Sequence, residues 1–267
     1  MKVLIYYFTG TCNSLLVAKK IAERINGAEV RPIMELYGLD SDTDKTSVNC
    51  TLLEANAVGF VFPVYFGRIP EIVSVAIKKA QFSEKQYFFA AATCNGMVGN
   101  ALFELDLVLR SKGVRLDYGK AVDMPDNTII IRTSEAKANR RIVQINNAAD
   151  EFTYALSRGI KRHDFKRKGI FNFGGRVSKF VVMRYYKAEK RKIDMSRCNK
   201  CGMCTKICPV GNFSIQEEKV LAGVNCKWCF GCINWCPKSA IVFGRIDPSK
   251  RMQYHCQGIS VADIAQK

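Results

Sequence analysis

Short apolar runs alternate with segments of helical period over the first 125 residues. Lys2–Tyr7 is a β-branched and aromatic run that breaks into a polar turn. Leu15–Ile25 then carries Leu15, Leu16, Ala18, Ala22 and Ile25 at helical spacing, and Gly27 stands where such a helix stops. Ala28–Ile33 predicts a second strand, Ala57–Phe62 a buried third ending at Pro63, Tyr87–Ala92 a fourth and Val114–Val122 a fifth. Between them, Pro70–Ala80 predicts a helix opened by proline, and Asn100–Ser111 one closed by Gly113. The polar stretch Gly38–Asn56 predicts a loop or weak helix, and Glu135–Leu156 a last helix. Strands alternating with helices of roughly 10–15 residues predict an α/β fold, a doubly wound parallel five-stranded sheet covered on both faces. Such sheets bind ligands in the loops at the C-terminal ends of their strands.

The pattern changes after residue 157. Residues 158–192 hold thirteen Lys or Arg against two acids, Asp164 and Glu189, with Phe165, Phe171, Phe173, Phe180, Tyr185 and Tyr186 interleaved and Gly174-Gly175 in the middle. This reads as a basic bridge, helical around Val177–Lys190. The boundaries that follow are 1–157 for the first domain, 158–192 for the bridge, 193–247 for a second domain and 248–267 for a polar tail. With 48% hydrophobic and 10% aromatic residues among 267, a wholly disordered chain is excluded. No apolar run approaches the roughly 20 residues of a membrane span or the shape of a signal segment, so the expectation is a cytoplasmic protein with reduced thiols.

The second domain carries a repeated motif. Cys198-x2-Cys201-x2-Cys204-x3-Cys208-Pro209 recurs 28 residues later as Cys226-x2-Cys229-x2-Cys232-x3-Cys236-Pro237. This is the bacterial ferredoxin spacing for [4Fe–4S] clusters, in which the fourth thiolate of each motif serves the other cluster. The expected metal ligands are therefore Cys198, Cys201, Cys204 and Cys236 for one cluster, and Cys226, Cys229, Cys232 and Cys208 for the other. Structural zinc favours paired C-x2-C units with longer gaps. Gly202 and Gly231 are expected to let the backbone approach the clusters, with Ile207, Val210, Ile215, Ile233 and Ile241 shielding them.

Three loops of the first domain are candidates for a second cofactor. Thr9-Gly10-Thr11-Cys12-Asn13-Ser14 is a hydroxyl-rich loop opening a helix, where backbone N–H groups and the helix dipole favour a phosphate. It resembles the flavodoxin loop that holds the FMN phosphate: Thr9, Thr11 and Ser14 match, and Cys12 stands where that family has Gly. A position needing φ > 0 suits Cys poorly. Pro63, Val64, Tyr65, Phe66 and Gly67, with Thr93, Cys94, Asn95, Gly96 and Gly99, fall where a flavodoxin holds the isoalloxazine ring. Tyr65 or Phe66 is expected to stack on it, and amides near Asn95–Gly96 to bond its pyrimidine edge. Cys12 and Cys94, in these loops, read as buried small hydrophobes, with a redox thiol as the alternative for either, and Cys50 and Cys256 as plain thiols.

Taken together, Tyr7-Phe8-Thr9-Gly10-Thr11, Pro63-Val64-Tyr65-Phe66-Gly67-Arg68-Ile69-Pro70, Met124-Pro125-Asp126-Asn127 and the doubled cysteine motif make the chain similar to the EFR1-type flavodoxin–ferredoxin fusion proteins of anaerobes. The resemblance implies a flavodoxin-like domain with a small C-terminal α+β 2[4Fe-4S] ferredoxin domain, holding FMN and two [4Fe-4S] clusters, and an oxidoreductase role in electron transport. It implies no catalytic residue and no substrate. An FMN-dependent reductase of a small molecule is the alternative, and a nucleic-acid- or membrane-binding iron–sulfur protein the weakest reading. The formal charge of +17 falls to about +11 once clusters and flavin phosphate, at about −2 each, are included. The expected partner is therefore an acidic electron carrier, a ferredoxin or flavodoxin, or a redox enzyme.

Overall fold

The computed structural model describes residues 1–38, 42–127, 133–167, 169, 177, 179–182, 184, 191–217, 219–245, 247–250 and 253–264. The expected helix 177–190 falls largely outside these residues, as do Gly174, Gly175 and Lys168. Five strands, β1 (Val3–Tyr7), β2 (Ala28–Pro32), β3 (Ala57–Pro63), β4 (Tyr87–Cys94) and β5 (Tyr118–Asp123), form one sheet in the order β2-β1-β3-β4-β5. Every pairing in it is parallel. This is the flavodoxin-like order, and its topological switch point lies between β1 and β3.

Alternation along β1 sorts the two faces of the sheet. Val3, Ile5 and Tyr7 join the core beneath α1 (Asn13–Ala22) and a 23-residue helix, Glu135–Ser157. Leu4, Tyr6 and Phe8 join the opposite core with Ile72, Val73, Leu105 and Leu109, from helices Glu71–Lys79 and Ala101–Arg110. Both faces are buried, so β3 and β4 read as continuous apolar runs rather than alternating ones.

Two expectations move. The polar stretch after Gly38 contains a real helix, Asp42–Leu53, anchored by buried Leu52 and by Asn49, whose Oδ1 accepts the Gln81 N–H at 3.1 Å. The fifth strand starts at Tyr118 rather than Val114. Ahead of it alternate N–H groups are used elsewhere: Val114 donates to the Leu109 carbonyl at 3.2 Å and Leu116 to Asp106 Oδ1 at 3.1 Å. Such a segment does not ladder with a neighbour, and bonding to the fourth strand begins with the Asp117 N–H, which donates to the Phe88 carbonyl at 2.8 Å.

The second domain contains two antiparallel pairs, Arg191–Ile193 with Ile241–Phe243 and Phe213–Gln216 with Lys219–Ala222. From it the chain returns across the first domain. Tyr254 donates its hydroxyl to Asn13 Oδ1 at 2.9 Å, Tyr7 donates its hydroxyl to the Asp263 carbonyl at 3.2 Å, and Lys19 pairs with Asp263 at 2.7 Å. Among the described residues no helix is long and apolar enough to cross a membrane.

Hydrogen bonds from Lys19 and Ser260 hold the Asp263 carboxyl well below the usual carboxylate range. A depressed folded pKa stabilises docking above the unfolded value of about 4 and loses that contribution as pH falls through the folded value. Pepsin cleavage within residues 253–264 should therefore accelerate as pH drops below about 4. Asp263→Asn should remove most of this pH dependence; an unchanged profile in the variant would place the acid-sensitive contact elsewhere.

Candidate functional site

The eight motif cysteines ring two separate cavities. One is lined by Cys208, Cys226, Cys229 and Cys232. The other is lined by Cys198, Cys201, Cys204 and Cys236. Each set takes three cysteines from one motif and the last from the other. Among the described residues no three His, Cys, Asp or Glu side chains form a group that could hold a single metal ion.

The repeat extends to the backbone. Lys200 and Trp228, each preceding the middle cysteine, have φ of 58° and 61°; Gly202 and Phe230, each following it, have φ of 71° and 56°. Left-handed residues in succession turn N–H groups inward toward anions. The repeat counterpart of Gly202 is Phe230, while Gly231, next along, packs closely on the Gly10 carbonyl, which a Cβ there would meet at 3.0 Å. Cys208 Sγ accepts the Asn212 N–H at 3.2 Å, and Cys236 Sγ accepts the Ala240 N–H at 3.3 Å, four residues on in both copies. Cys226 Sγ accepts the Trp228 N–H at 3.3 Å. Ile233 and Val210 line one cavity and Ile241 the other, and Ile207 is buried in the core that Cys232 packs against, whereas Ile215 is 43% exposed: it lies on the open face of its hairpin. Burial pushes the Cys204 thiol up to about 11 and the Cys229 thiol up to about 12. Such thiols would give up their protons on binding a cationic iron core.

The Thr9–Ser14 loop lies at the switch point. Cys12 has φ 68° and caps α1 without a side-chain bond. The left-handed conformation of a glycine-type phosphate loop is kept, at a cost of about 1–2 kcal/mol for a residue with a Cβ. The N–H groups of Gly10, Thr11, Cys12 and Asn13 have no hydrogen-bond acceptor among the described residues, and all four residues are buried. Four buried donors at a helix N-terminus, beside the hydroxyls of Thr9, Thr11 and Ser14, fit a phosphate group. Asn127 Nδ2 donates to Thr11 Oγ1 at 2.8 Å, and the Ser14 and Thr93 hydroxyls are bonded at 2.8 Å.

The other two loops follow β3 and β4 at the same end of the sheet. Tyr65 packs edge-on to Phe8, Phe66 has φ 52° in a tight turn, and its ring meets Trp228 of the second domain at 6.4 Å. Both residues are half-buried. In the following loop, the Gly96 N–H is taken by Asp123 at 3.1 Å, and Asn95 is bonded to Arg141 and Asp126. Pro63 ends β3, and the Val64 N–H donates to the Thr93 carbonyl at 2.9 Å, which ties the two loops together. Gly67 and Gly99 touch: a Cβ on Gly99 would meet the Gly67 carbonyl oxygen at 2.3 Å. Cys94 is buried with its thiol raised to about 12 by that burial, the inert thiol expected.

Sequence reasoning did not bring the two sites together. A Cβ on Gly10 would lie 2.0 Å from the Cys229 carbonyl oxygen, so the Thr9–Ser14 loop abuts the Cys226–Cys232 motif. Trp235 Nε1 donates to the Gly10 carbonyl at 3.1 Å, and Asn234 Nδ2 to the Asn127 carbonyl at 3.1 Å. Cys256 is not a plain thiol: it is disulfide-bonded to Cys12. Both stand outside the repeated motif, and that was the one signal available in the sequence.

Comparison with known proteins follows this division. The profile of the 4Fe-4S binding domain family matches residues 192–213. A ferredoxin from Methanothermococcus thermolithotrophicus is 36% identical over 53 residues, spanning 18% of this chain and 88% of its own length. Among solved structures, an FMN-dependent NADH-azoreductase from Bacillus anthracis str. Ames Ancestor in complex with FMN aligns with 57% of this chain and 100% of its own, at 11% identity and a TM-score of 0.38. The protein Smu.1420 from Streptococcus mutans UA159 aligns over the same shares at 11% identity and a TM-score of 0.41.

Proposed function

Because the chain belongs to the ferredoxin family through its C-terminal domain, joined here to a flavodoxin-like domain, we propose that it transfers electrons between a low-potential donor and an acceptor through two [4Fe–4S] clusters and FMN. The observation that carries this reading is the contact of Gly10 with Cys229: the phosphate loop and one cysteine cavity share a wall. When bound, the clusters supply one-electron transfer and the flavin holds one or two electrons. Cys198, Cys201, Cys204 and Cys236 hold one cluster; Cys226, Cys229, Cys232 and Cys208 hold the other. The N–H groups of Asn212, Trp228 and Ala240 bond ligand sulfurs and so raise the potential, while Phe243, Trp228 and Ile233 keep water away. Thr9, Thr11, Ser14 and the amides of residues 10–13 hold the FMN phosphate.

The basic bridge supplies the partner. The thirteen cations of residues 158–192, between the two domains in sequence, attract an acidic carrier and raise its encounter rate at low salt. Stopped-flow reduction by a reduced acidic ferredoxin should bleach clusters and flavin in one turnover. The rate should fall steeply from about 0.01 M to 0.5 M salt, as the Debye length shrinks from about 30 Å. Neutralising Lys166 and Arg167 together should flatten that dependence. A salt-independent rate would remove the bridge from recognition. Flavin reduction by NADH with the clusters left oxidised would replace electron transfer by the small-molecule reductase reading.

A further inference from the structure

We propose that Cys12 and Cys256 form a dithiol–disulfide centre that exchanges two electrons with the adjacent cluster site of Cys208, Cys226, Cys229 and Cys232. The inference rests on the reading that an iron–sulfur cluster occupies that site.

The two cysteines belong to neither motif and are 244 residues apart, yet their Cα atoms lie 5.8 Å from each other, within the usual span of a disulfide. Their exposures are 0% and 1%. They sit in one apolar core with Ile207, and Cys232 and Trp235 pack at its margin. Two routes of packed atoms join bridge and cavity. Along the chain, Cys12 is two residues from Gly10, which abuts the Cys229 backbone. Across space, the Trp235 indole donates to the Gly10 carbonyl and stacks at 4.0 Å on His255, the residue before Cys256.

Burial decides how such a bridge is reduced. Thiol–disulfide exchange requires a thiolate to reach a sulfur of the bond, and exposures of 0% and 1% leave it no approach. Electrons cross packed protein. In the step proposed, the S–S bond breaks, two electrons arrive one at a time from the cluster, and each sulfur gains a proton to give two thiols. A low-potential one-electron carrier of the ferredoxin class replenishes the cluster, and water provides the protons beside exposed His255. Oxidation runs the same step backward. Cys12 is the sulfur suited to take negative charge first: the Cys256 N–H donates to its Sγ at 2.8 Å, and it caps the ten-residue helix α1.

The test uses anaerobic holoprotein, poised oxidised or reduced by stoichiometric ferredoxin, then quenched in denaturant with N-ethylmaleimide and read by peptide mass. Cys12 and Cys256 should be linked in the oxidised sample and both alkylated in the reduced one. Dithiothreitol under native conditions should open the bridge at least tenfold more slowly. Wild type should take up about two electrons more than Cys256→Ser. Iron and sulfide, measured on the same samples, report cluster occupancy separately. Missing iron would overturn the cluster reading, and this proposal with it. Full iron with the bridge intact after reduction, or with both thiols free before it, would overturn the disulfide centre alone. The wild-type peptide masses decide this even if the variant does not fold.

Discussion

Cys236→Ala will empty the cluster site of Cys198, Cys201 and Cys204, and leave the site of Cys226, Cys229 and Cys232 loaded. Nearness in sequence points the other way, since Cys236 is four residues from Cys232 and 32 from Cys204. The cavity linings decide it: Cys236 faces the first three cysteines, and Cys208 faces the second three. Removing a ligand deletes a metal–thiolate bond and leaves the rest of a buried polar shell unmatched, so the loss is of a whole cluster rather than of a few per cent. Iron should fall from about eight to about four per chain. Cys208→Ala should give the same count with the complementary spectrum. Loss of both clusters in each variant would show that the sites fill only together.

Gly10→Ala should be the most damaging change to the first domain that removes no ligand. The added Cβ would stand 2.0 Å from the carbonyl oxygen and 2.8 Å from the carbonyl carbon of Cys229. Both are backbone atoms, pinned by a ligand cysteine, and no rotamer relieves the clash. Overpacking of this kind costs about 1–3 kcal/mol even where side chains adjust. Here the phosphate loop has to leave the motif. Flavin content should fall at least tenfold relative to iron, and cluster-to-flavin electron transfer should slow with it. Normal flavin content and an unchanged thermal midpoint would mean that the two domains do not dock through this contact.

Both of these contacts explain what the sequence could and could not convey. Buried parallel strands advertise themselves as apolar runs, so Ala57–Pro63 and Tyr87–Cys94 were legible nearly to the residue. Cluster ligation is local chemistry repeated at fixed spacing, and the cysteine sets followed from it. The fifth strand began late because Val114 and Leu116 are buried like strand residues while their N–H groups bond the Leu109 carbonyl and the Asp106 carboxylate instead of a neighbouring strand. Phe230 in a left-handed conformation was invisible, since only its counterpart Gly202 signals a positive φ by its identity. The docking of Gly10 on Cys229 and the pairing of Cys12 with Cys256 join residues more than 200 positions apart. No periodicity records such contacts. Cys12 stood out as a misfit in a glycine position and as one of two thiols in the loops, but nothing pointed to Cys256, and the tail that holds it reads as ordinary polar chain.

The most direct measurement of the central claim is a reductive titration of anaerobically purified protein, with iron, sulfide and flavin determined on the same sample. The account predicts about eight iron and eight sulfide per chain, one FMN, and uptake of about four electrons by these cofactors, with about two more if the Cys12–Cys256 bridge opens. Half that iron, FAD in place of FMN, or fully loaded clusters with no flavin at all would contradict it.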